Sequence, residues 1–155
     1  CIRDRYIGAP LHIAKACTKI QGQFTSGTSS ISQRAAIAAV SADPSEIHEM
    51  RDAFLSRRDF ILEELNKING ININQPQGAF YVFPDVSAFF NKSYGDFTVT
   101  NSDKLAMYVL ETAKVAVVTG NAFGSPNCIR ISYASSMEKL KDAMNRIATA
   151  LNNLN

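Results

Sequence analysis

The sequence has no apolar run long enough to cross a membrane and no block of charge of one sign. A membrane-spanning helix needs roughly 18 or more consecutive apolar residues, and no stretch here approaches that length. Lys and Arg total 16 against 14 Asp and Glu, with the two signs interspersed along the chain. Nucleic-acid-binding proteins instead concentrate basic residues in patches. These absences argue against a membrane protein and against a nucleic-acid partner.

Cysteine is scarce, and self-contained catalytic motifs are missing. No metal-ligand spacing links the three cysteines, Cys1, Cys17 and Cys128. Their odd number favours reduced thiols, which predicts a cytoplasmic location and no metal site. His12 and His48 fall within predicted helices and have no evident partner for base catalysis. The segment GNAFG (120–124) lacks both the Walker lysine and the glycine spacing of a dinucleotide site.

The pattern of apolar residues predicts helices first, then alternating strands and helices. Predicted helices cover residues 11–21, 30–42, about 44–69, 102–113 and a last segment from a capping box at Ser135 and Glu138 to Leu154. Predicted strands cover 71–73, 79–83, 115–118 and 127–134, and residues 84–101 are expected to form a structured loop. This order predicts a helical segment followed by an α+β unit, with a small mixed sheet covered by helices.

The first residues, CIRDRYIGAP, begin with a charged segment that leads straight into a strand-like YI and a Gly-Ala-Pro turn. No element precedes this strand to pair with it. We therefore expect residue 1 to be a cut end of a longer protein.

The segment NCIRISYA (127–134) places an arginine within a short strand pattern. A period of two puts Arg130 with Cys128 and Ser132 on one face, and Ile129 and Ile131 on the other. The apolar face is expected to be core and the other face to line a site. A permanently charged guanidinium on a half-buried strand needs an anionic partner. From the residues alone, that partner is either a protein carboxylate or a ligand.

Five stretches together resemble the C-terminal portion of pyridoxal-phosphate-dependent aminotransferases of the aspartate aminotransferase superfamily, fold type I. In chain order they are YIGAP (6–10), KIQGQFTSGTSSISQRAA (19–36), RRDFILEELN (57–66), PQGAFYVFPDVS (76–87) and VAVVTGNAFGSPNCIRISYA (115–134). The resemblance implies that residues 1–42 are the end of the large cofactor-binding domain with interface helices. It implies that residues 43–155 are the C-terminal small domain, entered through the long helix at about 44–69.

The resemblance also implies substrate-binding residues. In that family the arginine of the IRISYA strand binds the substrate α-carboxylate through two parallel hydrogen bonds, and Arg130 takes this position. Phe80 and Tyr81, in GAFYVF, resemble small-domain residues on the substrate side. Thr119 stands where the family usually has proline, so the stiffness of the loop that leads to Arg130 is expected to differ.

The resemblance assigns the cofactor contacts to the first part of the chain. Arg3 aligns with the arginine that binds the cofactor phosphate. Its surroundings depart from the family, because Ile2 replaces a tryptophan and Asp4 and Arg5 replace an apolar residue and a glycine. The alternative for Arg3 is an altered terminus with no cofactor role. Phe24, Thr25 and Ser26 lie in a loop that in relatives reaches toward the partner subunit's active site in a homodimer.

The implied activity is amino-group transfer between an amino acid, aspartate or a broad range, and a 2-oxo acid with pyridoxal 5'-phosphate. The family's Schiff-base lysine would fall before residue 1, as would the residues that tune the cofactor ring. We therefore expect the isolated chain to be inactive. The alternative is a non-catalytic α+β interaction module that retains the small-domain scaffold. A Ser-Lys motif a few residues upstream of Cys1 would favour the enzyme.

Overall fold

The computed structural model describes residues 7–155, so Arg3 lies outside the described residues. The chain forms two compact units, residues 1–47 and residues 48–155. The assignment of the first part to a large domain and the second to a small domain stays a prediction.

The first unit contains helices α1 (Leu11–Phe24) and α2 (Ser30–Ser41) and a short 3-10 helix (Pro44–Ile47). α1 continues beyond the predicted end at residue 21, because Gly22 weakens a helix by only about 1 kcal/mol relative to alanine and does not end it. Large apolar side chains of this unit are exposed, among them Leu11, Ile20, Phe24, Ile31 and Val40.

The second unit combines three α-helices and two short 3-10 helices (Ser87–Phe89 and Gly120–Phe123) with two small sheets. Its elements are α3 (His48–Asn66), β1 (Tyr81–Val82), β2 (Lys92–Tyr94), β3 (Phe97–Val99), α4 (Ser102–Ala113), β4 (Val118–Thr119), β5 (Ile129–Ser132) and α5 (Met137–Asn152). The order β1-β5-β4 forms one sheet and β2-β3 the other. The α+β class is confirmed, but every strand pair among the described residues is antiparallel, whereas a mixed sheet was expected.

The central strand β5 fixes the register of the three-stranded sheet. Tyr81 pairs with Ser132 and Val82 with Ile131 on one side, and Val118 pairs with Arg130 on the other. Single bridges join Asp85 to Asn72 and to Cys128, so the predicted strand at 71–73 contributes only one bridge.

One face of this sheet and the apolar stripes of the helices form the core. The sheet contributes Val82, Ile129, Ile131 and Tyr133, and α5 contributes Leu140, Met144, Ile147 and Leu151. The apolar residues of the last helix, which recur at intervals of three and four, are thus buried on one face, as their spacing indicated. In α3 the stripe is buried only from Ile61 onward, and Met50 is exposed.

Three local expectations were wrong. The long helix is preceded by a 3-10 turn, in which the Glu46 backbone N–H donates to the Asp43 carbonyl at 3.0 Å and the Ser45 N–H donates to the Asp43 carboxylate at 2.8 Å. Residues 84–101 contain the β2-β3 hairpin rather than only a loop. The cap of α5 is Ser136 instead of Ser135, since its hydroxyl accepts from the N–H of Lys139 and the helix starts at Met137.

None of the helices within residues 7–155 combines the length and apolar character that crossing a membrane requires.

We predict that Tyr108→Phe lowers the free energy of unfolding by about 1 kcal/mol at pH 7, because the buried Tyr108 hydroxyl donates to the Ala150 carbonyl at 2.9 Å. Burial raises the pKa of Tyr108. Folding therefore favours its protonated form, and the contribution is complete below about pH 10 and lost as the pH rises through the raised pKa. Urea denaturation between pH 7 and pH 11 should show less alkaline destabilisation in the variant.

The control is Tyr94→Phe, which removes an exposed hydroxyl for which residues 7–155 provide no hydrogen bond. It should change stability at pH 7 by less than about 0.5 kcal/mol. Equal losses in the two variants would contradict the role of the hydrogen bond to α5.

Candidate functional site

Arg130 lies on the exposed face of the three-stranded sheet. Its strand neighbours Ile129 and Ile131 are buried, whereas Arg130 and Cys128 are half-buried and Ser132 is exposed. The alternation predicted from the sequence is confirmed. The guanidinium therefore emerges from the middle strand of the sheet, on the side away from the core.

Two aromatic rings lie against the Arg130 guanidinium. Its central carbon is 5.2 Å from the ring centre of Tyr81 and 4.6 Å from that of Phe123. Tyr81 belongs to β1, and Phe123 belongs to the 3-10 helix Gly120–Phe123 that directly follows β4. The rings thus come from the elements on the two sides of β5.

No carboxylate among residues 7–155 pairs with Arg130. In the same unit Arg51, Arg58 and Arg146 each form an ion pair with an aspartate. Asp85 is bridged to Cys128 on the same sheet, but its carboxylate accepts from the Ser87 backbone N–H at 2.8 Å and from its hydroxyl at 2.6 Å. Within residues 7–155 the structure therefore does not contain the protein ion pair that was one of the two interpretations of this arginine.

The loop that carries Phe123 is held by hydrogen bonds at its start. The Thr119 hydroxyl lies 3.0 Å from the hydroxyl of the buried Ser102, and it accepts from the Asn121 backbone N–H at 3.3 Å. The Asn121 side chain donates to Asp103 at 2.6 Å. These bonds tie the loop to the first turn of α4. Thr119 therefore restrains the loop through its hydrogen bonds, whereas a proline at this position would restrain the backbone through its ring.

Gly120 is the tightest point of this loop. A Cβ atom there would lie 2.0 Å from the Ser125 carbonyl oxygen and 2.3 Å from that of Cys128. The Gly120 N–H donates to the Cys128 carbonyl at 2.7 Å. Glycine is needed because the chain here lies directly against the backbone of Ser125 and of Cys128, the residue before β5.

Phe80 contacts Tyr81, which in turn contacts Arg130. Its ring is half-exposed and packs edge-on against Tyr81 with centroids 5.7 Å apart, and it lies 6.4 Å from Phe54. Ala79 before it has φ +63°, in the left-handed region that a residue with a Cβ rarely adopts. Its carbonyl accepts from the Tyr133 hydroxyl at 3.1 Å. Burial raises the pKa of Tyr133, which keeps this donor protonated.

The residues predicted to contact the cofactor belong to the first unit. Thr25 is the C-cap of α1, and its hydroxyl contacts the Gln21 side chain. Ser26 has φ +63° and is exposed, as are Thr25 and Phe24. Both hydroxyls can donate hydrogen bonds to a phosphate. The structure brings Tyr81 and Phe123 to Arg130, and it leaves the roles predicted for Thr25, Ser26 and Phe80 untested.

Cys128 does not have the environment of a nucleophile. Burial and the nearby Asp85 carboxylate raise the pKa of its thiol, which disfavours the reactive thiolate. Among residues 7–155, no three His, Cys, Asp or Glu side chains are arranged to hold a metal ion.

Residues 4–147 match the family model described as aminotransferase class I and II. The chain belongs to this family. It is 45% identical over 150 residues to the bifunctional aspartate aminotransferase and glutamate/aspartate-prephenate aminotransferase of Petunia hybrida, covering 94% of the chain and 31% of that protein. An aspartate aminotransferase of Pinus pinaster is also 45% identical, with 94% and 30% covered.

The fold agrees with a solved aminotransferase. The crystal structure of the aspartate aminotransferase from Rhizobium meliloti matches with a TM-score of 0.83 and 38% identity, over 96% of this chain and 37% of that one. The chain thus spans about a third of the aminotransferases that it resembles. The aminotransferase resemblance of the sequence is confirmed.

Sequence reasoning missed Phe123 as part of the site. The available signal was an aromatic residue in the glycine-flanked GNAFG loop, close in the chain to the Arg130 strand, but its contact with Arg130 depends on how the loop folds back.

We predict that Gly120→Ala destabilises the chain by about 3 kcal/mol or more, because the added methyl group overlaps two backbone carbonyls and cannot be accommodated by a side-chain rotation. Thermal unfolding followed by circular dichroism measures the effect. Gly78→Ala is the control, since its φ is not positive and an added Cβ meets no atom within 4 Å. Similar unfolding midpoints for the two variants would show that the loop is not held as described.

Proposed function

We propose that this chain is the substrate-carboxylate-binding part of an aminotransferase that exchanges an amino group between an amino acid and a 2-oxo acid. Arg130 binds the α-carboxylate in this proposal. The observation that supports it is the half-buried guanidinium on the central strand, which has aromatic rings beside it and no ion-pair partner within the described residues 7–155.

The geometry of an arginine suits this task. A guanidinium can form two parallel N–H···O bonds with one carboxylate, which fixes the plane of the carboxylate as well as its position. A substrate held in this way presents its α C–H in one orientation, and orientation is a large part of the rate enhancement in such reactions. A ligand carboxylate would also provide the negative charge that no carboxylate of residues 7–155 provides to the half-buried guanidinium.

The cofactor proposed is pyridoxal 5'-phosphate, which would supply the electron sink for loss of the α proton. Arg3 would hold its phosphate, and Thr25 and Ser26, whose hydroxyls are exposed, would approach the cofactor bound by the partner subunit of the homodimer. Phe80 would line the substrate side. We assign no covalent attachment to residues 1–155, because the lysine that the resemblance implies lies outside them.

Aspartate or a broad range of amino acids is the proposed substrate, in line with the names of the relatives. A homodimer and a cytoplasmic location also stay predictions. The homodimer is implied by the family resemblance, and the location by the odd number of cysteines without metal-ligand spacing, which favours reduced thiols.

We predict that Arg130→Lys lowers kcat/KM of the whole enzyme for amino acids by roughly 100-fold, because lysine keeps the charge but cannot form the paired hydrogen bonds. The loss should be similar for every amino-acid substrate, since all carry the same α-carboxylate. Cofactor binding, followed by its absorbance, should be nearly unchanged.

Arg57→Lys is the matched control. Arg57 also lies over a ring, 5.2 Å from that of Phe54, but on helix α3. It should leave kcat/KM within about twofold. An Arg130→Lys enzyme that folds and keeps native kcat/KM would refute the proposed role, as would a loss confined to one amino-acid side chain.

A further inference from the structure

We propose that Phe123, together with Tyr81, is a positioning residue that holds the Arg130 guanidinium ready for a carboxylate. The loop of residues 119–124 then tunes the affinity for the amino-acid substrate without touching the reacting atoms. This inference rests on the proposed function of Arg130 and adds the means by which its side chain is oriented.

The geometry of the sheet places the two rings on either flank of the guanidinium. Tyr81 is directly opposite Ser132, so it is a diagonal neighbour of Arg130 on the same face of the sheet. On the other flank Val118 is directly opposite Arg130, and the chain leads from β4 into the turn that brings Phe123 to 4.6 Å. Arg130 is thus contacted by rings from both neighbours of its strand.

Rings suit this position better than a protein carboxylate would. An aromatic face attracts a cation through its quadrupole but accepts no strong hydrogen bond, so the N–H groups of Arg130 stay available. A neighbouring aspartate would instead occupy the N–H groups that the substrate needs. A side chain that is already ordered also loses less rotamer freedom when the carboxylate binds.

Both rings that contact Arg130 pack against further aromatic rings. Phe123 packs edge-on against Phe83 with centroids 5.9 Å apart, and Tyr81 packs edge-on against Phe80 at 5.7 Å. The loop before Phe123 is tied to α4 through Thr119 and Asn121. Phe123 is nevertheless 49% exposed, so its replacement removes the ring from Arg130 without opening a hole in the core.

The test uses the whole enzyme with cofactor and compares Phe123→Leu with Phe123→Tyr. Leucine keeps an apolar side chain but removes the aromatic face, so KM for aspartate and the inhibition constant of succinate, an unreactive carboxylate, should both rise about three- to thirtyfold. kcat should change less than about threefold, because the ring acts equally on bound substrate and transition state. Phe123→Tyr should restore both constants to near native values.

Phe97→Leu is the matched control, since Phe97 also lies near a cation, Lys104 at 6.0 Å, but belongs to the β2-β3 hairpin. It should leave KM unchanged. A purely structural effect of Phe123 would lower stability or kcat and spare KM.

A double-mutant cycle with Arg130→Leu separates this inference from the proposed function. Without the guanidinium, Phe123→Leu should change kcat/KM less than about twofold, because no cation is left to position. If Arg130→Leu itself leaves kcat/KM unchanged, the proposed function fails. If Arg130→Leu strongly lowers kcat/KM but Phe123→Leu leaves KM within twofold, or has the same effect in both backgrounds, only the positioning role of Phe123 is overturned.

Discussion

The position of β5 between β1 and β4 is the constraint on which the other features of the second unit depend. Antiparallel pairing on both sides fixes which residues of β5 face the helices and which face away. Ile129 and Ile131 enter the core with Val82 and the stripe of α5. A slip of one residue would bury Arg130 and expose both isoleucines, at a cost of several kcal/mol.

The environment of Arg130 stabilises the guanidinium charge in part and leaves its N–H groups open to a ligand. Burying a guanidinium without compensation is costly, and a protein carboxylate would be the usual compensation. Here Arg130 is only half-buried, and two aromatic faces stabilise the charge in part, by about 0.5–2 kcal/mol for a cation over a ring. Because neither ring occupies the N–H groups, a ligand can still provide the anionic partner.

Periodicity in the sequence was enough to predict the elements that bury a regular stripe. The alternation around Arg130, helix α4 and the apolar face of α5 all follow from short-range patterns that the core enforces. The hairpin at residues 92–99 was missed, since its strands are three residues long and its glycine turn lies among other turn residues. Short strands depend on partners distant in the chain more than on local preference.

The site could be predicted only as far as local sequence and family resemblance reach. Arg130 stands out because a charge interrupts an apolar alternation. Phe123 could not be assigned, because its contact with Arg130 depends on the path of the loop past Gly120, where backbone from two chain segments meets. The left-handed conformation of Ala79 was equally invisible, because alanine carries no signal for it and the Tyr133 hydroxyl bonds to its carbonyl from a distant part of the chain.

A crystal structure of the whole enzyme with an unreactive carboxylate such as succinate would test the central claim most directly. The account predicts two N–H···O contacts of about 2.7–2.9 Å between the Arg130 guanidinium and one carboxylate, with the rings of Tyr81 and Phe123 still against the guanidinium. A structure in which an aspartate or glutamate of the protein pairs with Arg130 and the ligand carboxylate binds elsewhere would contradict it.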